Sequence, residues 1–218
     1  MKNPDLILFA RQPVPGKTKT RLQKKCGENK AAEISGFLIR STVILVTQYW
    51  PGEVFLYGWP DSNHPLFKSL ATEFAVTLAD QEKGDLGHKM KQTLESHIDR
   101  QGAAAIMGID VPHCSGDTIK KAYDSLTRDE NVIGPTNDGG YYLIGLSKKS
   151  GMLFSRIDWG TRSVFQKTME IAKQHNIEFE MLPMLKDIDT WDDLRVVSQT
   201  YEPLRQFVDE TVSQGSGD

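Results

Sequence analysis

Cysteine is scarce in this chain: two in 218 residues, Cys26 and Cys114, with no CxxC spacing. Two distant thiols argue against a disulfide scaffold and a cysteine-built zinc site, and suit a reducing compartment. Charge of one sign is not in surplus either. The 26 Lys+Arg stand against 29 Asp+Glu, a formal net charge of -3. Without a global basic field, nucleic acid is a disfavoured partner. Long apolar runs are missing. No segment approaches the ~20 apolar residues of a membrane span, and the opening MKNPDLILFARQPVPG lacks the apolar stretch and cleavage site of a secretory signal. The expected location is the cytoplasm. Three common motifs are also absent. Gly16-Lys17-Thr18 matches the end of the P-loop GxxxxGK[ST], but Arg11 stands where its first glycine belongs. No GxGxxG fingerprint follows the first strand, which argues against a Rossmann-bound cofactor. No GxSxG elbow supplies a serine nucleophile.

What remains is an ordinary globular composition, 39% hydrophobic and 25% charged. The length suits one domain, taken as residues 1–212, with a disordered tail over 213–218. The short apolar run 6–10 reads as a buried strand. A helix is expected over 28–49, strands over 54–57 and 74–78, and a helix over 85–98. Residues 103–109 are apolar throughout, as in a central strand covered on both faces. Ser115 can cap a helix over 116–126. Apolar segments 132–134 and 141–146 flank the turn signal NDGG, residues 137–140. Thr161 is expected to cap a helix reaching 175, with a late strand over 177–182. Thr190 with Asp193 forms a variant capping box opening a helix to 199. Such alternation predicts an α/β fold with a mostly parallel sheet and helices on both faces. Ligands of such sheets sit beyond the carboxyl ends of the strands.

The chemistry-bearing residues cluster at those ends. After the first strand, Arg11, Lys17, Lys19 and Arg21 crowd a loop with two prolines and Gly16. Cations near a helix start suit a phosphate, although a solvated basic loop has the same composition. After the third strand, Gly84 and Gly87 permit close approach of a ligand, and Asp85 suits a helix cap. Asp110 emerges from the central strand, where a carboxylate needs a partner, water or a metal. Mg²⁺ takes one or two carboxylates plus phosphate oxygens and waters. Asp138 either shapes the hairpin turn or acts as a base held at a rigid position. Asp187 and Asp189 share a face if their segment is extended.

The order of these segments is more specific than any one of them. FARQPVPGKTKTRL, QEKGDLGHKM, GIDVP, GPTNDGGYYLIGL and DIDTWDDL, taken together, resemble a bacterial glycosyltransferase-A-like family (DUF2064-type) of the nucleotide-diphospho-sugar transferase superfamily. The resemblance runs from about Leu6 to Leu194. It implies a three-layer α/β/α fold with a mixed, mainly parallel sheet. It implies nucleotide binding by Ala10, Arg11, Gly16, Lys19 and Arg21, with Gly84, Asp85 and Gly87 near the base and ribose. Asp110 and Asp189 would hold Mg²⁺ or Mn²⁺, and Asp138 would face the acceptor as catalytic base. The implied reaction is glycosyl transfer from a nucleoside diphosphate sugar to a small-molecule acceptor. Nucleotidyl transfer to a phosphorylated small molecule, or silent nucleotide binding, are the alternatives. Three departures stand out. GIDVP replaces the family's GSDSP, Trp159-Gly160-Thr161 replaces WST, and Lys89 replaces an arginine.

Overall fold

The computed structural model describes residues 2–213. The elements are β1 (Asp5–Arg11), α1 (Thr20–Tyr49), β2 (Val54–Trp59), α2 (Pro65–Phe74), β3 (Thr77–Asp80), α3 (Leu86–Gln101), β4 (Ala104–Gly108) and α4 (Gly116–Thr127). Then come β5 (Asn131–Pro135), β6 (Tyr141–Leu146), a 3-10 turn (Gly151–Phe154), α5 (Val164–Gln174), β7 (Phe179–Met181), α6 (Trp191–Ser198) and α7 (Glu202–Ser213). They form one seven-stranded sheet in the order β3-β2-β1-β4-β6-β5-β7. β1 pairs in parallel with β2 and β4, while β6 is antiparallel to both of its neighbours, β4 and β5.

The pleat explains the three layers. Leu6, Leu8 and Ala10 on β1 join a core with α1 and α4, whereas Ile7 and Phe9 join a second core with α3 and α5. β4 splits likewise, with Ala105 and Met107 on the first side and Ala104 and Ile106 on the second. Successive side chains of a strand point to opposite faces, so the stretches Leu6–Ala10 and Ala104–Gly108, covered on both, are apolar. Each fully buried Leu or Ile contributes roughly 1.5–3 kcal/mol. The expected mixed, mainly parallel α/β/α fold is the fold observed.

Several boundaries differ from those that the local pattern predicts. α1 starts at Thr20 rather than 28, with a break at Gly27 (φ 78, ψ 169). That glycine hid the first turns from the periodicity. Phe74 ends α2 and is not a strand residue; β3 begins only at Thr77. α2, for which no residue range was predicted, begins with Pro65 in its first turn and is capped by the His64 ring accepting from Leu66 N–H. Thr161 is not a cap: α5 begins at Val164, and the Thr161 hydroxyl donates to Asp158 O. Ser115 and the Thr190–Asp193 box do cap α4 and α6. α7 was not anticipated, and it extends to Ser213; the rest of the predicted tail lies outside the described residues.

At the amino end of β1, Asp5 is fully buried. It accepts from His97 Nδ1 at 2.7 Å and from Arg100 Nε at 3.0 Å. The other imidazole nitrogen meets Tyr57 Oη at 3.0 Å. A buried carboxylate so paired locks α3 to the sheet at the end remote from the cleft.

Candidate functional site

The loop after β1 folds back on itself. Val14 N–H donates to Gln12 O, Lys17 N–H to Val14 O, and the Arg11 guanidinium to Lys17 O at 3.2 Å. Gln12 is tied to Asp61, and Thr18 lies buried against Ser35. The loop ends at Lys19, which has left-handed backbone angles (φ 47, ψ 46) and immediately precedes α1. A non-glycine residue there stores local strain, which proteins keep mainly where geometry matters. No side chain caps this start of α1 and its first turn carries no acidic residue, which leaves its amide end favourable to an anion.

Three segments far apart in sequence meet at Lys19. Its ammonium lies 2.8 Å from Asp110 Oδ1 and 3.0 Å from Asp189 Oδ1, and donates to Ile188 O at 2.6 Å. Arg21 Nη1 approaches Asp189 Oδ2 at 3.4 Å. The Lys19 side chain is 7% exposed, and Asp110 keeps about 36% of its side-chain surface open to the cleft. Burial pulls the ammonium towards its neutral form, but the two carboxylates outweigh it and hold its pKa above the ordinary value. A strap completes the centre. Ile188 N–H donates to Asp110 O at 3.0 Å, Leu185 N–H to Pro135 O, and Asn137 N–H to Leu185 O.

A cavity of about 450 Å³ opens over this centre, lined by Arg11, Lys17, Lys19, Arg21, Asp110 and Asp189 among others. A second, of about 180 Å³, is largely apolar, with Phe9, Met90, Tyr141 and Trp159 in its wall. Phe9 and Gly108 line both. A third, of about 760 Å³, contains Asn137, Asp138, Arg162, Lys186 and Asp187, and shares Arg21 and Asp189 with the first. The three lie at the carboxyl ends of β1, β4 and β5, where the fold rule directs a ligand.

The predicted site residues divide into two sets. Arg11, Lys19, Arg21, Asp110 and Asp189 come together around the first cavity. Ala10 is buried and its carbonyl accepts from Gln81 Nε2, and Gly16 (φ 78) turns the loop, so both shape the loop without lining that cavity. Gly84, Asp85 and Gly87 line none of the three cavities. Asp85 caps α3 by accepting from His88 N–H at 2.7 Å. A methyl group on Gly87 would meet Trp159 Cε2 at 2.7 Å, so this glycine makes room for the tryptophan wall. Lys89, in the arginine position of the family pattern, stacks its ammonium 3.5 Å from the Trp59 ring centroid. Asp138 Oδ1 accepts from Thr136 Oγ1 at 2.6 Å and Gly140 N–H at 3.0 Å. It therefore shapes the turn and faces the third cavity as well.

The sequence pattern does not single out Asp187 as a site residue, although its shared face with Asp189 is the available signal. Arg162 and Lys186 carried none. Burial, then repulsion from Asp138 and Asp189, raises the Asp187 carboxyl to about 6. The folded chain thus holds this proton more tightly than the unfolded chain does. Stability contributed by Asp187 falls as pH rises from about 4 to about 6, and the deficit persists above that window. Asp187→Asn is expected to gain stability at pH 8, by roughly 1–3 kcal/mol or about 2–4 °C in Tm per kcal/mol. The gain should shrink below pH 4. Thermal melts of both proteins across pH 3.5–8 would check it; a pH-independent difference would contradict the assignment.

Fold and cleft together define the class: a nucleotide-diphospho-sugar-transferase-type α/β/α protein with a basic loop and a carboxylate pair at its strand ends. Residues 42–161 match the family model described as "Uncharacterized protein conserved in bacteria (DUF2064)", and the chain belongs to that family. A protein from Desulfovibrio desulfuricans G20, provisionally named a nucleotide-diphospho-sugar transferase, has a similar solved structure. It shares 28% identity over 98% of each chain, with a TM-score of 0.85. Two further solved structures share the fold alone. One is Rv0371C of Mycobacterium tuberculosis H37Rv in complex with manganese, at 14% identity over 92% of this chain and 100% of that one, TM-score 0.55. The other is CMP:2-keto-3-deoxy-manno-octonic acid synthetase complexed with CTP, at 10% identity over 95% of this chain and 99% of that one, TM-score 0.55. No curated protein matches the chain. Among the described residues, no helix is long and apolar enough to cross a membrane.

Proposed function

We propose that this protein transfers a glycosyl group from a nucleoside diphosphate sugar to a small-molecule acceptor. The observation that carries the reading is the meeting of Lys19, Asp110 and Asp189 at the floor of a cavity also lined by Arg11, Lys17 and Arg21. Such a concentration of cations and carboxylates suits a diphosphate and its counter-ion. Arg11, Lys17 and Arg21 would neutralise the diphosphate as it leaves, each aimed at charge that grows in the transition state.

The carboxylate pair fits a divalent ion. Both carboxylates reach a single cation, and Asp110 Oδ1 is buried without a hydrogen bond. Two carboxylates, completed by phosphate oxygens and waters, are the donor set of Mg²⁺. Mg²⁺ or Mn²⁺ held there would supply further stabilisation of the leaving diphosphate. On the acceptor side, the hairpin turn holds Asp138 rigidly, as a base requires. Asp187 beside it, with a carboxyl near 6, is the second candidate for that proton. The apolar cavity walled by Tyr141 and Trp159 adjoins the phosphate cavity and would take the less polar face of the sugar or acceptor. Residues 1–212 act as one domain in this reading, since the site draws on segments from Arg11 to Asp189.

Nucleotidyl transfer is the second reading, favoured by the likeness of fold to a CTP-bound synthetase. Thermal-shift screening of UDP-, GDP-, dTDP- and CDP-sugars and of nucleoside triphosphates, with Mg²⁺ or Mn²⁺, tests both. A ligand present at 100 times its Kd stabilises the native state by about 2.7 kcal/mol, which is readily seen as a raised Tm. A shift with a nucleotide sugar and turnover to nucleoside diphosphate supports glycosyl transfer. Release of pyrophosphate from a triphosphate supports nucleotidyl transfer. No shift with any nucleotide overturns both.

A further inference from the structure

We infer that Lys19 is an internal cation that occupies the Asp110–Asp189 pair and competes with divalent metal for it, so that metal loads only when the ammonium withdraws. This rests on the proposed metal-assisted reading of the site. The ammonium is already compensated by the protein. It donates to Ile188 O at 2.6 Å and to Asp189 Oδ1 at 3.0 Å, and pairs by charge with Asp110 Oδ1 at 2.8 Å. Moving to a phosphate would part it from these partners.

Metal and ammonium exclude each other at these oxygens. Mg²⁺ binds carboxylate oxygens at ~2.0–2.1 Å. An ion on the oxygens that Lys19 now faces would sit against the ammonium, and the two like charges would share a poorly solvated space. Asp110 Oδ1 is buried and makes no hydrogen bond, so the lysine neutralises it by charge without directed bonding. That oxygen has the most to gain from a cation that can coordinate it. The lysine backbone is held in the sparsely populated left-handed region at the junction of loop and helix. Arg11, Lys17 and Arg21, around the same cavity, mark where a phosphate would draw the ammonium.

The test is Mn²⁺ binding alone, followed by the loss of the free-ion paramagnetic signal, with the full chain and no nucleotide. Lys19→Met removes the charge and keeps much of the stem. It is expected to bind Mn²⁺ at least tenfold more tightly than the wild-type protein, and Lys19→Met combined with Asp110→Asn to lose that gain. Equal affinity in wild type and Lys19→Met overturns the inference. If Lys19→Met folds only when Mn²⁺ is present, the ion has replaced the ammonium and the inference stands. If Mn²⁺ does not restore folding while Lys19→Met with Asp110→Asn folds without it, the inference fails. A nucleotide screen without response would sink the donor reading on its own, because this comparison contains no nucleotide.

Discussion

Asp110→Asn is expected to lower turnover by a factor of about 10²–10³, the usual cost of deleting one preorganised group that stabilises charge in a transition state. The substitution is isosteric and removes a charge from the pair that would hold the metal. It should leave the architecture in place, because the strap is fastened to the backbone. Ile188 N–H donates to the Asp110 carbonyl, which asparagine retains. Lys19 keeps Asp189 and Ile188 O as partners, so its ammonium is not left bare. The check is release of nucleoside diphosphate from the active nucleotide sugar, beside circular dichroism of both proteins. Turnover within threefold of wild type, with an unchanged spectrum, would remove Asp110 from the chemistry.

Gly139→Ala should have the largest effect on stability. Gly139 has φ +92, and a methyl group there would collide with the Arg162 carbonyl oxygen and lie 2.7 Å from its carbon. The obstacle is backbone on both sides, so no rotamer relieves it. Overpacking of this kind with a left-handed backbone costs about 3 kcal/mol. For a chain of this size that is a fall of roughly 6–12 °C in Tm. The same residue accepts from Phe165 N–H at 2.8 Å, so the turn bearing Asp138 and the loop bearing Arg162 would separate. Gly160→Ala is the control: φ is +80 there too, but nothing lies within 4 Å. It should lose only the backbone term, about 1–2 kcal/mol. Equal melting temperatures for the two variants would show that close packing at Gly139 is not what matters.

Local pattern carried most of the fold. β1 and β4 are apolar on both faces, and the alternation of strands and helices implied the parallel sheet that they occupy. It carried less where a single residue changes the register of the signal, as Gly27 does inside α1 and Phe74 does at the end of α2. The basic loop and the carboxylates were legible as chemistry because strand ends are where such groups face a ligand. The contact of Lys19 with Asp189 was not, since it joins residues 170 apart and depends on the strap crossing β4. Gly84, Asp85 and Gly87 illustrate the converse. Their residue types fit a ligand site, yet a cap and a packed tryptophan account for two of them.

The strap also fixes when the centre can exist. A chain leaves the ribosome from its amino end, and domains generally fold in that order. β1 to β7 are complete once Met181 has emerged, but Ile188 and Asp189 follow later. A nascent chain between these points has Lys19 and Asp110 but not yet Asp189. The centre is therefore among the last features that synthesis completes, and a truncation before Ile188 would remove Asp189 from it together with Ile188, Leu194, Val197 and Leu204 from the core.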